Sequence, residues 1–189
     1  MQFEGKKILK YNIDNVWLYL NDPYIIKVCI DGCKTFMRVE DNKYEAVVNV
    51  KLGPVNATFK GNILINNIMK PTSYTIEANG NAGQLGFARS NVKVNLEEDN
   101  LHTVLSYKAD VNISGRIAQI GSRLIEGSVK KNTERFFQNL EVILGEDKIS
   151  KNDAQTKNKV SKKTSVLKES KVFLIFLFMI LMLVFLSLA

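Results

Sequence analysis

The chain has 189 residues, a length that suits one domain with an appendage. Of its net charge of +7, residues 146–189 hold 8 Lys against 4 acids (+4), while residues 1–145 hold 18 basic and 15 acidic residues (+3). The domain is therefore only mildly basic, which argues against nucleic-acid binding. One histidine and two cysteines are too few for a four-ligand structural zinc site.

In chain order, Met1 to Lys7 has no apolar run, so no secretory signal peptide is expected. Residues 12–30 read as two helices. Asn12 or Asp14 caps the first, and Val16, Trp17 and Leu20 share a face. Asn21-Asp22-Pro23 separates them, with Pro23 suited to the first position of the second. Asp31-Gly32 is a turn. Cys29 and Cys33 read as packing residues, because a cytoplasmic domain rarely carries a structural disulfide.

A long β region follows. Apolar residues alternate with polar ones over Tyr44–Leu52, Phe59–Ile65, Tyr74–Ala78 and Thr103–Ile113. That period of two describes strands with one apolar and one wet face, as in an antiparallel sheet. Between Phe87 and Leu96 the apolar parity switches near Arg89-Ser90, which predicts a bulge or kink. A third helix is predicted from Arg116 to about Leu144, capped by Ser114 or Gly115. Its stripe of Ile117, Ile120, Leu124, Ile125, Val129, Phe136, Leu140 and Ile143 needs the apolar face of the sheet as partner. Basic residues between Arg116 and Arg135 read as a solvated helix face.

Residues 146–171 are polar and lysine-rich, a flexible tether. Residues 172–189 contain no charge, and 14 of the 18 are Leu, Ile, Phe or Val. As a helix this stretch spans about 27 Å, close to the hydrocarbon thickness of a bilayer. We read it as a single C-terminal transmembrane anchor. The eight lysines before it and none after keep the globular domain cytoplasmic. They also place positive charge against anionic headgroups.

Catalytic equipment is sparse. Any histidine-based triad has to use His102, near which no nucleophile motif is recognisable. No glycine-rich phosphate loop is present, and the Glu97-Glu98-Asp99 run suits a hairpin tip. No metal site is expected. What remains is a shape: a curved sheet gripping one long helix, with apolar space between them. Ala118, Gly121, Gly127 and Ser128 on the helix either leave room for a ligand or permit close packing.

Several motifs then come together. They are Asn21-Asp22-Pro23, Cys29-Ile30-Asp31-Gly32-Cys33, Gly53-Pro54-Val55-Asn56-Ala57-Thr58-Phe59-Lys60-Gly61, Gly83 with Gly86-Phe87-Ala88, Ala118 to Ile125, and Phe136-Phe137. In order and spacing they resemble the G-subunit family of carbon monoxide dehydrogenase, within the helix-grip, START-like (polyketide-cyclase-like) superfamily. The chain departs from the family pattern at Asp31, where proline is usual, and at Arg89-Ser90, where glycine is frequent.

The resemblance implies an α+β helix-grip fold for the domain, residues 1–145, ahead of the linker (146–171) and anchor (172–189) read from composition above. It implies no catalytic residues and no covalent cofactor. It implies a bound quinone or other lipid, and a molybdenum-hydroxylase-type dehydrogenase as partner at the membrane. Inward-facing candidates for the cavity are Val48, Val50, Phe59, Ile63, Phe87, Leu105 and Tyr107 on strands, with Ile117, Ile120, Gly121 and Leu124 on the helix. For any single one of them, plain core is the simpler reading. Two other readings stay open: a cyclase-like enzyme, for which Tyr107 is the best inward polar group, and a lipid carrier or sensor without a redox partner.

Overall fold

A computed structural model describes the backbone of residues 1–157 and the side chains of residues 1–145. Seven strands form one antiparallel sheet: β1 (Gln2–Leu9), β2 (Cys33–Glu40), β3 (Lys43–Leu52), β4 (Val55–Met69), β5 (Ser73–Asn81), β6 (Phe87–Asp99) and β7 (His102–Ser114). Their order is β1-β7-β6-β5-β4-β3-β2, so β2 to β7 run as a meander and β1 closes onto β7. Helices α1 (Ile13–Leu20) and α2 (Pro23–Cys29) lie between β1 and β2, and α3 (Ser122–Lys157) follows the sheet. The backbone of residues 146–157, expected to begin the linker, continues α3, whose end was expected near Leu144. The rest of the predicted linker, 158–171, and the predicted anchor lie outside the described residues. Among the described residues no helix is long and apolar enough to cross a membrane.

The helix starts follow from side-chain chemistry. Asn12 Oδ1 accepts from the Asn15 amide at 2.9 Å and caps α1. Asp22 Oδ1 accepts from the Tyr24 and Ile25 amides at 2.8 and 3.1 Å, and Pro23 opens α2, where its missing N–H costs nothing. The third helix differs from the sequence expectation. Arg116–Ile120 is a 3-10 turn, and the chain breaks at Gly121 with φ +100° before α3 begins at Ser122. Glycine adopts that angle without the steric penalty other residues meet.

Two strands were not anticipated. β1 points Phe3, Gly5, Lys7 and Leu9 to one face, a mixture that carries no hydrophobic alternation. β2 is an edge strand whose pairing with β3 shifts register twice, and its Met37 and Val39 are exposed. The bulge expected at Arg89-Ser90 is absent: β6 keeps one register with β5 and with β7 from Phe87 onward. Ala88, Ser90, Val92, Val94 and Leu96 all face the concave side. Phe87 lies on the other face, 49% exposed, with the Arg89 guanidinium 5.8 Å from its ring centre. The parity switch in the sequence is therefore an outward aromatic, not an irregular backbone.

The core divides into two clusters on the concave side. The larger joins Leu9, α1 (Ile13, Val16, Trp17, Leu20), Cys29, Tyr74, Val94, Leu96, Leu105 and the α3 residues Phe137, Leu140 and Leu144. Trp17 meets Tyr74 edge-on at 5.4 Å. The smaller holds Leu52, Ala57 and Ile117, with Val50, Phe59, Ala82, Leu85, Ile113 and Ile120 packed around them. Cys29 is fully buried in the larger cluster, and its thiol is pushed up to about 11 by burial. Cys33 is half-buried and also raised by burial, with Lys27 pulling the other way. Both thiols are free.

Candidate functional site: the space under the third helix

Helix α3 packs apolar side chains on the rest of the domain near its start and along its second half. Near its start, Leu124 lies against the β3–β4 hairpin: a methyl group at Gly53 would come within 3.3 Å of Leu124 Cδ1. Farther along, Phe137, Leu140 and Leu144 enter the larger core. That end is also tied by polar contacts. Asn139 Nδ2 donates to the Cys29 carbonyl at 3.1 Å, Tyr11 Oη donates to the Glu141 carbonyl at 3.2 Å, and Lys7 pairs with Glu141 at 2.9 Å.

Between these anchor points the concave face is incompletely covered. Val48, Gly61, Ile63, Ala78, Ser90 and Val111 all face inward on adjacent strands, belong to neither core cluster, and are only half-buried. A small-residue floor of this kind leaves room that a row of leucines would fill. Over the first three turns of α3, from Ser122 to Asn132, only Ile125 is buried.

Two clefts flank α3. The first, about 560 Å³, lies between α3 and β1 and includes Phe3, Gly5, Tyr107, Val129 and Phe137. Its charged lining is balanced, with Lys6, Lys7 and Lys130 against Glu4, Glu126 and Glu134. Tyr107 lies across Gly5 on the neighbouring strand, where a Cβ would sit 2.5 Å from the phenol oxygen. Any side chain at position 5 would have to push the ring aside. Phe137 of α3 closes over the same tyrosine at 6.4 Å between centroids. The second cleft, about 460 Å³, lies on the other side of α3, against the α2–β2 turn and the β3–β4 hairpin. Val50, Gly53, Leu124, Gly127 and Ser128 line it, together with Asp31, Lys51, Arg123, Lys131 and Arg135. The Arg135 guanidinium donates to Asp31 Oδ2 at 2.5 Å across it.

The residues proposed from sequence divide accordingly. Tyr107 lines the first cleft, and Val50 and Leu124 line the second. Val48 and Ile63 lie on the half-buried strip. Phe59 and Ile120 pack against the smaller core, Ile117 is 1% exposed within it, and Leu105 is 3% exposed in the larger core. Gly121 is the exposed break before α3. Phe87 does not face inward at all, because its parity on an unbroken β6 sends it to the opposite face. Sequence reasoning missed Gly5, Val129, Phe137 and the charged lining. The β1 contribution was invisible without a recognised strand, and Phe137 carried its signal only as part of an aromatic pair. No cluster of three potential metal ligands occurs among the described residues.

A seven-stranded antiparallel sheet with a long C-terminal helix packed on its concave side is a helix-grip domain. The profile of the carbon monoxide dehydrogenase G-subunit family (CoxG) matches residues 5–145, and the chain belongs to that family. No curated protein matches the chain. Among solved structures, a conserved protein from Geobacillus kaustophilus is similar, at 27% identity and a TM-score of 0.73 over 77% of this chain and 96% of that one. The Zhui aromatase/cyclase from Streptomyces shares the fold at 11% identity and a TM-score of 0.56, over 75% of this chain and 91% of that one. A protein from Mycobacterium smegmatis does so at 10% identity and a TM-score of 0.59, covering 77% and 92%.

Proposed function

We propose that this chain is a membrane-tethered, non-catalytic module that binds an apolar, quinone-like or other lipid molecule and couples a molybdenum-hydroxylase-type dehydrogenase to the membrane. The observation that carries the binding reading is the half-buried strip of Val48, Gly61, Ile63, Ala78, Ser90 and Val111 between two separate cores. Apolar surface left half-covered inside a fold gains about 25 cal/mol for each Å² that a ligand removes from water. The first cleft adds a second partly apolar surface beside α3, with Phe3, Val129, Tyr107 and Phe137 in its lining. The family name supports the dehydrogenase partner. The uncharged 172–189 stretch supports the tether, which would hold the domain where isoprenoid lipids reside.

The test is native mass spectrometry and solvent extraction of the full chain purified in mild detergent. A co-purifying isoprenoid or lipid is expected, and Ile63→Trp, which fills the strip, should deplete it. A chain that emerges empty, and that retains no dehydrogenase in a pull-down from its native membranes, refutes the reading.

One observation favours a different use of the same space. Tyr107 is a polar side chain at the floor of the first cleft, held by Gly5 and Phe137. A cyclase-like enzyme would use such a group. If Tyr107→Phe abolishes a turnover of a cleft-bound substrate while ligand retention and melting temperature stay unchanged, the enzyme reading replaces the carrier.

A further inference from the structure

The two clefts beside α3 are similar in size but differ in charge balance. The first sets three lysines against three glutamates. The second sets Lys51, Arg123, Lys131 and Arg135 against Asp31 alone. Asp31 is already engaged by Arg135. No ion pair involves Lys51, Arg123 or Lys131 among the described residues.

This surplus comes from residues that work against the helix carrying them. Arg123, Gly127, Lys131 and Arg135 recur every fourth residue and share one face of α3. Of these, Lys131 and Arg135 are like charges one turn apart and repel. Arg123 also sits in the first turn, where the helix dipole disfavours a cation and where α3 has no acid. Gly127 is a poor residue for a helix interior, and a methyl group there would meet nothing within 4 Å. The face therefore presents a cation, an open notch, then two further cations. Local choices that oppose the element around them concentrate at functional sites. A bound anion relieves the repulsion and complements the dipole together.

We infer that the second cleft binds a phosphate-type anion, contacted by Arg123 and Lys131, with Val50 and Leu124 beside any apolar group attached to it. The anion is either the headgroup of an acidic phospholipid or a soluble phosphate ester. The site is separate from the apolar strip, and its failure leaves the apolar-ligand reading untouched.

The full chain in non-ionic detergent is titrated by calorimetry with dihexanoyl phosphatidic acid, dihexanoyl phosphatidylcholine and inorganic phosphate. Saturable binding of an anion is expected, weakened about tenfold or more by Arg123→Gln with Lys131→Gln, the loss of one or more charge-assisted contacts. Gly127→Leu, which fills the notch, should weaken it similarly. Lys6→Gln with Lys130→Gln, in the balanced cleft, should change it by less than about twofold. Phosphatidic acid bound at least about tenfold tighter than inorganic phosphate assigns a lipid headgroup. Equal affinities assign a soluble phosphate group. The inference fails if neither anion saturates, if phosphatidylcholine binds as well as phosphatidic acid, or if the control pair weakens binding as much as the Arg123/Lys131 pair. Melting temperatures confirm that every variant is folded.

Discussion

The two ends of α3 make opposite bargains with the sheet. From Phe137 to Leu144 the helix is locked: Leu140 is fully buried, Leu144 is 3% exposed, and Asn139 and Glu141 are tied to α2, β1 and the segment after β1. From Ser122 to Asn132 it is loosely seated, with Leu124 47% exposed and only Ile125 buried. Folding free energy is concentrated at one end; the second cleft lies toward the other, and the first runs from Glu126 to Gln138, between the two. A protein that must hold a removable guest needs this division. A core packed uniformly along the helix would leave no space, and a helix loose at both ends would not stay docked.

The sharpest way to break that comparison is a pair of truncations. Leu140→Ala should cost about 2–5 kcal/mol, as expected for a fully buried leucine that leaves a cavity. Leu124→Ala should cost under about 1 kcal/mol because nearly half of its surface is already in water. Urea unfolding measures both, and equal losses would show that the two ends are not different.

Alkaline pH probes the locked end next. Burial raises the Cys29 thiol from its ordinary 9.0 to about 11. Below pH 9 the thiol is protonated in folded and unfolded chains alike, so its contribution is intact. Between pH 9 and 11 the unfolded thiol ionises first and draws the equilibrium toward unfolding. Stability should fall by about 2 kcal/mol across that window relative to Cys29→Ala, at about 1.4 kcal/mol per unit of pKa difference. A parallel pH dependence of the two proteins would mean that Cys29 is hydrated.

Asn139→Ala should cost about 1–2 kcal/mol, since the partly buried Cys29 carbonyl loses its side-chain donor. The smallest effect belongs to Lys7 and Glu141, each with about a third of its side chain exposed. A double-mutant cycle on that pair should give under about 1 kcal/mol, declining with added salt. A coupling several times larger would move the ion pair from accessory to principal fastener.

Much of this architecture was readable in advance, and the failures have physical causes. α1, α2 and five of the strands announced themselves through capping residues and period-two alternation. β1 hid because its inward face places Gly5 and Lys7 where a regular strand would show apolar residues. Gly5 is explained only by Tyr107 on the adjacent strand, and Lys7 only by Glu141 on α3. Phe87 suggested a bulge because aromatic residues are expected inside, yet its ring lies outside with Arg89. The break at Gly121 was obscured because Ile117 and Ile120 keep a helical spacing within a 3-10 turn.

The amino-acid order on its own determined the fold class, the family and the strand-and-helix succession, because those rest on short-range periodicity, caps and motifs. Which apolar residues become core and which stay half-open was decided only in three dimensions. Val48 and Leu105 look alike along the chain, but one faces the gap under α3 and the other meets Phe137, Leu140 and their neighbours in the larger cluster. The separation of charge between the two clefts has the same origin. It depends on which distant strand, turn or helix face each lysine and glutamate is brought to, and sequence spacing carries no record of that.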